Sequence, residues 1–334
     1  MTIVSVCLTP GLQRSVTLDH LRVGEVNRLK SIAVDVSGKG VNVCRVLQRL
    51  GLPACCISQG GDNGDQLLAM ARGEALDLRL VPSTGILRTC TSIVETATDG
   101  GCRVTEIIEP SPTVTPDCLS ALLATVRETL ADAEALVIAG SMAPGFPPDY
   151  QAALAALAHT AGVPVFVDLQ GEPLRQTIAA GATIVKINLA EFANTFLAGQ
   201  LPHDSAGREH SGVLAQATIP QAIIDTVCHK ARELGTVFVL TRGANSVLLA
   251  DGDDARVVPV TPLAAGEVFN PIGSGDSFMA GLIAHLRQSG ALSAKRPPLA
   301  AFEAASQLAI ACAQSNARTA RPGFLAPDFV APGA

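Results

Sequence analysis

Short, fully apolar runs alternate along this chain with amphipathic segments that have helical spacing. Residues 135–139 and 237–240 are two of the apolar runs, and residues 149–161 form one of the helical segments. Short strands separated by helices predict right-handed β-α-β units, and therefore a mostly parallel sheet with helices packed on it. A chain of 334 residues, 48% of them hydrophobic, can bury the core that such an α/β fold requires.

Small or polar residues stand directly after several of these apolar runs and turns. In open sheets of this kind, ligands bind where the strands end and the loops begin. This rule selects five candidate site residues, which are Ser141, Asp168, Asn188, Gly243 and Asp276. Each one also has an ordinary structural explanation, such as a turn residue at Ser141.

The turn Gly273-Ser274-Gly275 leads directly into an amphipathic helix. Its glycines let the backbone turn sharply and point successive N–H groups the same way, with the positive end of the helix dipole behind them. Such a turn binds anions, and Asp276 in the first helical turn is well placed to act as a general base. The alternative is an ordinary loop in which Asp276 only caps the helix.

Four other segments alternate apolar and polar residues, as strands with one exposed face do. They are residues 13–19, 30–36, 91–95 and 103–108. Together they predict a small antiparallel sheet outside the main fold. An apolar sheet face that nothing covers is a liability in a monomer, so a partner surface is expected there.

Composition excludes several classes of function. The net charge is −6 and no block of Lys or Arg occurs, which argues against a nucleic-acid partner. The nine cysteines lack the spacing of metal sites and are typical of reduced thiols, which predicts a cytoplasmic protein. The first residues are typical of a strand rather than a signal peptide, and no apolar run is long enough to cross a bilayer.

Residues 37–40 read Ser-Gly-Lys-Gly and open a helix with Val43 and Leu47 on one face. The upstream glycine of a phosphate-binding P-loop is missing, and no GxGxxG dinucleotide motif occurs in the chain. Both of those functions are therefore excluded. Taken alone, Lys39 is as well explained by a solvated charge between two turn glycines as by a ligand contact.

Longer strings around these residues resemble a known family. Asn270-Pro-Ile-Gly-Ser-Gly-Asp-Ser is similar to the C-terminal signature of the ribokinase-like (PfkB) sugar kinases, and Ser37-Gly-Lys-Gly-Val-Asn is similar to their N-terminal signature. Arg88-Thr-Cys-Thr and Thr105-Glu-Ile-Ile-Glu resemble the hexose-phosphate branch, which holds 1-phosphofructokinase and tagatose-6-phosphate kinase. The resemblance extends over nearly the whole chain. It implies one ribokinase-like domain over residues 1–334, with lid strands at about 13–36 and 88–108.

The resemblance also implies a role for each matching residue. The expected activity is phosphorylation of a hexose phosphate, with ATP and Mg²⁺. Asp276 would take the proton from the sugar hydroxyl while Gly273, Ser274 and Gly275 stabilise the transferring phosphoryl group. The implied substrate-binding residues are Gln13, Arg28, Gly38, Lys39, Asn42, Arg88 and Ser141. The implied nucleotide-binding residues are Lys186, Asn188, Thr241, Gly243 and Asn316, and Asn188 and Glu191 would hold Mg²⁺ through water.

Departures from the family pattern leave alternatives open. Gln13 stands where the family has an Asp, so an amide replaces a carboxylate, and Ser37 and Ile187 replace a Gly and a Pro. A same-fold kinase of an unphosphorylated sugar or nucleoside, or a non-catalytic sugar-phosphate sensor, remains possible.

Similar kinases pair through the lid, so a homodimer is expected. Residues 203–218 predict a mobile insertion, and residues 322–334 an irregular arm.

Overall fold

The computed structural model of the protein describes residues 1–96, 101–197, 218–252, 254–294 and 296–332. Its strands are β1 (Thr2–Cys7), β2 (Gly11–Leu18), β3 (Ser31–Ser37), β4 (Ala54–Gly60), β5 (Asp77–Pro82), β6 (Thr89–Glu95), β7 (Arg103–Ile108), β8 (Ala133–Ala139), β9 (Val165–Asp168), β10 (Ile184–Asn188), β11 (Val237–Thr241), β12 (Ser246–Asp251) and β13 (Asp254–Pro259). Its α-helices are α1 (Lys39–Arg49), α2 (Gly64–Gly73), α3 (Pro116–Thr129), α4 (Tyr150–Thr160), α5 (Gly171–Ala179), α6 (Leu189–Phe196), α7 (Gln221–Leu234), α8 (Ser274–Gln288) and α9 (Leu299–Ala317). Short 3-10 helices occur at Leu130–Asp132, Ala265–Glu267 and Ala291–Ser293.

The larger sheet has the strand order β13-β12-β11-β10-β9-β8-β1-β4-β5. From β11 to β5 all neighbours run parallel, and β12 and β13 add an antiparallel hairpin at one edge. The chain moves from β1 to β4 and β5 on one side, and later places β8 to β11 on the other side. The strand order therefore reverses between β1 and β8, and a crevice opens where the loops at that point diverge.

Helices cover both faces of this sheet. Ile3 on β1 packs in a core shared with α1, α8 and α9, while Val4 and Val6 pack in a second core with α3 to α7. Both faces of β1 are buried, as in parallel sheets generally. The predicted α/β fold, a mostly parallel sheet flanked by helices, is confirmed.

Strands β3, β2, β6 and β7, in that order, form a separate small sheet, which we call the lid sheet. A small separate sheet was predicted, and two of its pairings, β2–β3 and β6–β7, are antiparallel. The central β2–β6 pairing is parallel. Between these two strands the chain leaves the lid sheet after β3, passes through β4, α2 and β5 of the main fold, and returns to begin β6. The lid sheet is therefore mixed rather than wholly antiparallel.

Helix α8 begins at the glycine turn and packs along α9. A Cβ added to Gly281 would lie 2.8 Å from the Cα of Ala309, so only glycine permits this close approach of the two helices. Phe278 and Phe302 fill the space beside it and are almost fully buried. The start of α8, which carries the glycine turn, is thereby fixed against the sheet by its own core-facing side.

Sequence patterns did not identify several elements: β5, α5, β12, β13 and α9. Residues 318–332 form turns without a helix or strand, as the predicted arm requires. The predicted insertion lies outside the described residues except for Thr218. Among the helices that the structure describes, none has the length and apolar character needed to span a membrane.

Candidate active site

A cleft of about 730 Å³ lies between the strand ends of the large sheet and one face of the lid sheet. Most residues selected from the sequence meet in it, although they are far apart along the chain. They are Gln13, Gly38, Lys39, Asn42, Arg88, Asp168, Lys186, Asn188, Glu191, Thr241, Gly243, Gly273, Gly275 and Asp276.

The glycine turn at the start of α8 forms an anion site. Gly273 has a φ of 85°, and a Cβ there would lie 2.6 Å from the nitrogen of Gly323, so only glycine fits. The N–H of Ser274 is not available to an anion, because it donates to the carbonyl of Pro271 at 3.1 Å. Within the described residues, the N–H groups of Gly273, Gly275 and Asp276 have no acceptor. These free donors, with the helix dipole behind them, suit an anion.

Asp276 is buried beside this anion site, with 6% of its surface exposed. Its Oδ2 accepts a hydrogen bond of 2.8 Å from the side-chain amide of Asn42. Burial raises the pKa of Asp276 to about 6, although Lys39 acts in the opposite direction. A carboxylate with a pKa near 6 is ionised at neutral pH and is a stronger base than an ordinary Asp.

Asp168, at the end of β9, holds two lysines. Its Oδ1 accepts from Lys39 at 3.0 Å and its Oδ2 accepts from Lys186 at 2.7 Å. Burial alone would raise the pKa of Asp168, but the two ammonium groups lower it to about 2. Burial acts to lower the pKa of Lys39, yet Asp168 and Asp276 hold it above its ordinary value. Lys39 therefore stays charged in the cleft.

Lys186 is directed at the glycine turn. A Cβ added to Gly275 would lie only 2.8 Å from the Nζ of Lys186, so the ammonium group almost touches the backbone of the turn. The side chain of Lys186 is 5% exposed. A buried cation and the free N–H groups of one turn thus converge on the same anion position.

Asn188 and Glu191 form a capping box at the start of α6. The Oδ1 of Asn188 accepts from the N–H of Glu191, and the Oε2 of Glu191 accepts from the N–H of Asn188, both at 2.8 Å. Both side chains also line the cleft. Across the residues the structure describes, no group of three or more His, Cys, Asp or Glu side chains forms a metal-binding cluster.

The lid sheet contributes one wall of the cleft, with polar and apolar side chains. Side chains alternate along strands, so Gln13, Cys90, Glu106 and Ile108 share the face that lines the cleft. The amide of Gln13 donates to the hydroxyl of Ser92 at 2.8 Å. Glu106 is exposed at the surface of the cleft, and partial desolvation there raises its pKa. Sequence patterns did not identify Glu106 or Cys90 as individual site residues, because neither follows a strand of the large sheet.

A smaller apolar slot of about 140 Å³ adjoins the anion site. Thr241 and Gly243 lie between this slot and the main cleft, and Ser274 lines the slot rather than the cleft. The sequence did not identify its apolar walls, because isolated apolar side chains give no local signal of a binding site. They are Val247, Val260, Phe278, Ile310 and Ala313.

Three of the predicted ligands lie elsewhere. Arg28 is exposed in the loop between β2 and β3 and does not line the cleft. Ser141 is in an adjoining cavity of about 400 Å³, which shares Lys39 with the cleft. Asn316 is fully buried, and its amide is used within the chain: it donates to the carbonyl of Ile272 and accepts from the N–H of Gly323. Its side chain supports the glycine turn from behind and lines neither the cleft nor the apolar slot.

Comparison with known proteins gives one family and one fold. The profile described as pfkB family carbohydrate kinase matches residues 12–323. A possible 1-phosphofructokinase from Thermotoga maritima aligns with a TM-score of 0.77 at 21% identity, over 97% of this chain and 94% of that one. The tetrameric inhibited form of phosphofructokinase-2 from Escherichia coli aligns at 0.76 and 21%, over 95% and 94%. The same enzyme in complex with fructose-6-phosphate aligns at 0.69 and 22%, over 86% and 88%.

The two buried carboxyl groups predict opposite effects on stability. The pKa of Asp276 is raised from 3.8 to about 6, so its ionisation at neutral pH costs about 3 kcal/mol of folding free energy. Asp276→Asn removes that cost and keeps an oxygen that accepts from Asn42. We expect this variant to be more stable than the unmodified protein above about pH 6, with the difference shrinking as the pH falls towards 3.8.

Asp168→Asn is the matched comparison. The pKa of Asp168 is lowered, so its charge stabilises the fold above its ordinary value of 3.8 and this stabilisation is lost as the pH falls towards about 2. Removing the charge leaves two lysines with no carboxylate between them, and we expect a loss of about 3 kcal/mol at neutral pH. Urea denaturation of both variants from pH 4 to pH 8 measures the two effects. A loss of stability in Asp276→Asn at pH 7 would contradict the argument.

Proposed function

Because this chain belongs to the pfkB family of carbohydrate kinases, we propose that it transfers the terminal phosphoryl group of ATP to a hydroxyl of a hexose phosphate. The observation that carries the proposal is that one cleft holds both a base beside an anion site and two further cations, Arg88 and Lys39. A planar guanidinium and an ammonium group together suit a phosphate on the acceptor sugar. The candidate acceptors are fructose 1-phosphate, fructose 6-phosphate and tagatose 6-phosphate.

Asp276 is the proposed base in this reaction. It would accept the proton of the sugar hydroxyl, whose oxygen then forms a bond to the terminal phosphorus as the bond to the leaving diphosphate oxygen breaks. The free N–H groups of Gly273 and Gly275, with the ammonium of Lys186, would stabilise the charge on the transferring group. Asn42 would keep the carboxylate of Asp276 directed at the acceptor.

The nucleotide would place its base in the apolar slot and its phosphates along the glycine turn. Thr241 and Gly243 join the slot to the main cleft. Mg²⁺ prefers oxygen ligands and usually keeps several waters, so the carboxylate of Glu191 and the amide oxygen of Asn188 fit it without a dedicated protein cage. When bound, Mg²⁺ would neutralise part of the phosphate charge.

The cysteines support a cytoplasmic location for this reaction. All nine are free, and six of them are buried. Thiols in this state are typical of proteins from reducing compartments, which also supply ATP.

Asp276→Asn tests the proposed base. We expect turnover to fall about a hundredfold to ten-thousandfold, because an amide cannot accept the proton, while the KM for ATP changes little. In the unmodified enzyme, kcat/KM should decline as the pH falls below about 6, because Asp276 becomes protonated. Steady-state kinetics between pH 5 and pH 8 measures both. Near-normal turnover in a folded Asp276→Asn variant would remove Asp276 from this role.

Arg88→Ala tests the class of acceptor. Release of ADP is first measured with the three sugar phosphates and with their unphosphorylated sugars, which identifies the acceptor. We expect the variant to raise the KM for a sugar phosphate by about tenfold to a hundredfold, because a charge-assisted contact is lost, and to leave the KM for ATP unchanged. Arg127→Ala, at an exposed position on α3 that lines neither the cleft nor the lid sheet, is the control.

Two outcomes would favour the alternatives. An unphosphorylated sugar or nucleoside as the best acceptor, with its KM unaffected by Arg88→Ala, would support a same-fold kinase of another class. Binding of a sugar phosphate with no release of ADP under any condition would support a non-catalytic sensor.

We also propose that the enzyme is a homodimer through the outer face of the lid sheet. Ile32, Val34 and Ile107 lie on the face that points away from the cleft and are 53%, 42% and 56% exposed. Apolar side chains grouped on one sheet face favour a partner surface, and a second copy provides the same face by two-fold symmetry. Closure of such a lid would then be coupled to the dimer contact.

Charges on this face test the dimer. The variant with Ile32→Asp and Val34→Asp should sediment as a monomer, with reduced turnover, because burying two carboxylates in the contact is costly. Val257→Asp, at an exposed position on edge strand β13, is the matched control. The proposal fails if the unmodified protein sediments as a fully active monomer at micromolar concentration.

A further inference from the structure

The turn formed by residues 321–324, which follows α9, lies where the lid sheet, α1 and the glycine turn meet. Pro322 lines the cleft. The N–H of Gly323 donates to Asn316 at 2.7 Å, and a Cβ on Gly323 would lie 2.6 Å from the side chain of Asn42. The turn is therefore packed directly against the residues behind the anion site, even though its sequence has none of the features expected of a site.

Arg321 connects this turn to the lid sheet. Its guanidinium forms a two-pronged pair with Asp35 on β3, with Nε 3.0 Å from Oδ2 and Nη2 bonded to Oδ1. The side chain of Asp35 is 3% exposed, so the pair is partly desolvated. Asp35 is opposite Gln13 in the strand register, and Gln13 lines the cleft. The pair thus holds in place the side chains of the lid sheet, such as Gln13, that face the cleft.

Phe324 connects the same arginine to the base. The guanidinium of Arg321 lies 3.8 Å from the centre of the Phe324 ring, and that of Arg45 lies 4.4 Å from it. Arg45 is buried, donates to the carbonyl of Val36 at 2.7 Å, and donates to the Oδ1 of Asn42 at 3.1 Å. Since Asn42 in turn donates to Asp276, an unbroken series of contacts runs from the lid to the proposed base.

We propose that Arg321 is a positioning residue for the kinase reaction: its pair with Asp35 and its stacking on Phe324 hold the lid sheet in register with the Asn42 amide and Asp276. Planar guanidinium groups suit this role, because a fork-shaped pair and a ring contact both define orientation and not only distance. Lysine in the same place would keep the charge and lose both geometric restraints. The inference rests on the kinase function, and does not depend on which sugar is the acceptor.

The experiment uses the full chain and three conservative variants: Asp35→Asn, Arg321→Lys and Phe324→Leu. Arg318→Ala is the control, because Arg318 forms a similar two-pronged pair with Asp328 in the same arm but is not in contact with the lid sheet. Kinetic constants are measured with ATP and whichever of the three sugar phosphates is turned over fastest. Hydrogen exchange of β2 and β3 needs no substrate, so it reports on the lid sheet even if none of those sugars is the acceptor.

We expect the KM for the sugar phosphate to rise roughly three- to thirtyfold in each of the three variants, with that for ATP changed less than about twofold. Amides of β2 and β3 should exchange faster while those of β8 to β10 do not. Asp35→Asn and Phe324→Leu combined should cost less than the sum of the single changes, because both act through Arg321. The control should match the unmodified enzyme.

The proposal is overturned if folded variants keep both KM values, or if exchange rises equally in the lid sheet and the core strands. Either result would mean that the turn contributes only to overall stability. Additive effects of Asp35→Asn and Phe324→Leu would also overturn it, since the two contacts would then act independently. Where Asp35→Asn folds poorly, Phe324→Leu removes only the stacking contact and still decides between these outcomes.

Discussion

The cleft depends on the two ion pairs that the carboxylate of Asp168 forms with Lys39 and Lys186. The carboxylate is buried at the end of β9 and binds Lys39 from α1 and Lys186 from β10. Without an anion between them, two ammonium groups beside a helix N-terminus would repel each other at short range. Asp168 offsets one of the two positive charges and the ionised Asp276 offsets the other, so the attraction for an anion at the glycine turn comes from its free N–H groups and from the closeness of Lys186. The same ion pairs hold α1 and β10 together at the strand ends.

Asp168 and Asp276 illustrate how two buried carboxyl groups that share Lys39 as a neighbour acquire different chemistry. Asp168 makes direct contacts with both lysines, and these lower its pKa to about 2. Asp276 has one amide partner, and burial together with the charge of Asp168 raises its pKa to about 6. Pairs of acids whose environments separate their pKa values in this way divide the roles of fixed charge and base. The fold accepts a less stable, ionised Asp276 because stability elsewhere offsets it.

The strand ends and the glycine turn were predictable from the sequence, since short apolar runs and glycines are local signals. These local signals identified Asp168, Asn188 and Asp276. The resemblance to the kinase family added Lys39, Asn42 and Arg88, and all six residues line the cleft. Arg28 and Asn316 were expected in the site, but neither lines the cleft. Tertiary contacts determine that Arg28 is exposed and that the Asn316 amide forms hydrogen bonds within the chain, and the sequence does not show those contacts. The apolar slot and the Arg321 turn were missed for the same reason: their partners lie on distant segments. Helix α9 was missed because apolar residues occur all around it, so no single face stands out.

The parallel β2–β6 pairing, which the sequence did not predict, brings together residues that are proposed to bind the acceptor. Parallel strands begin at the same edge, so Gly11 at the start of β2 adjoins Arg88, just before β6. A Cβ on Gly11 would lie 2.2 Å from the carbonyl oxygen of Arg88, so this close approach requires glycine. If the two strands ran antiparallel, the start of β6 would lie at the far end of β2, about 20 Å from Gln13 at the usual rise per residue. Arg88 and Gln13 would then not line one cleft. The crossover through β4, α2 and β5 is therefore a structural condition for the proposed recognition of a phosphorylated acceptor, because the course of the chain through the large sheet also determines the strand direction in the lid sheet.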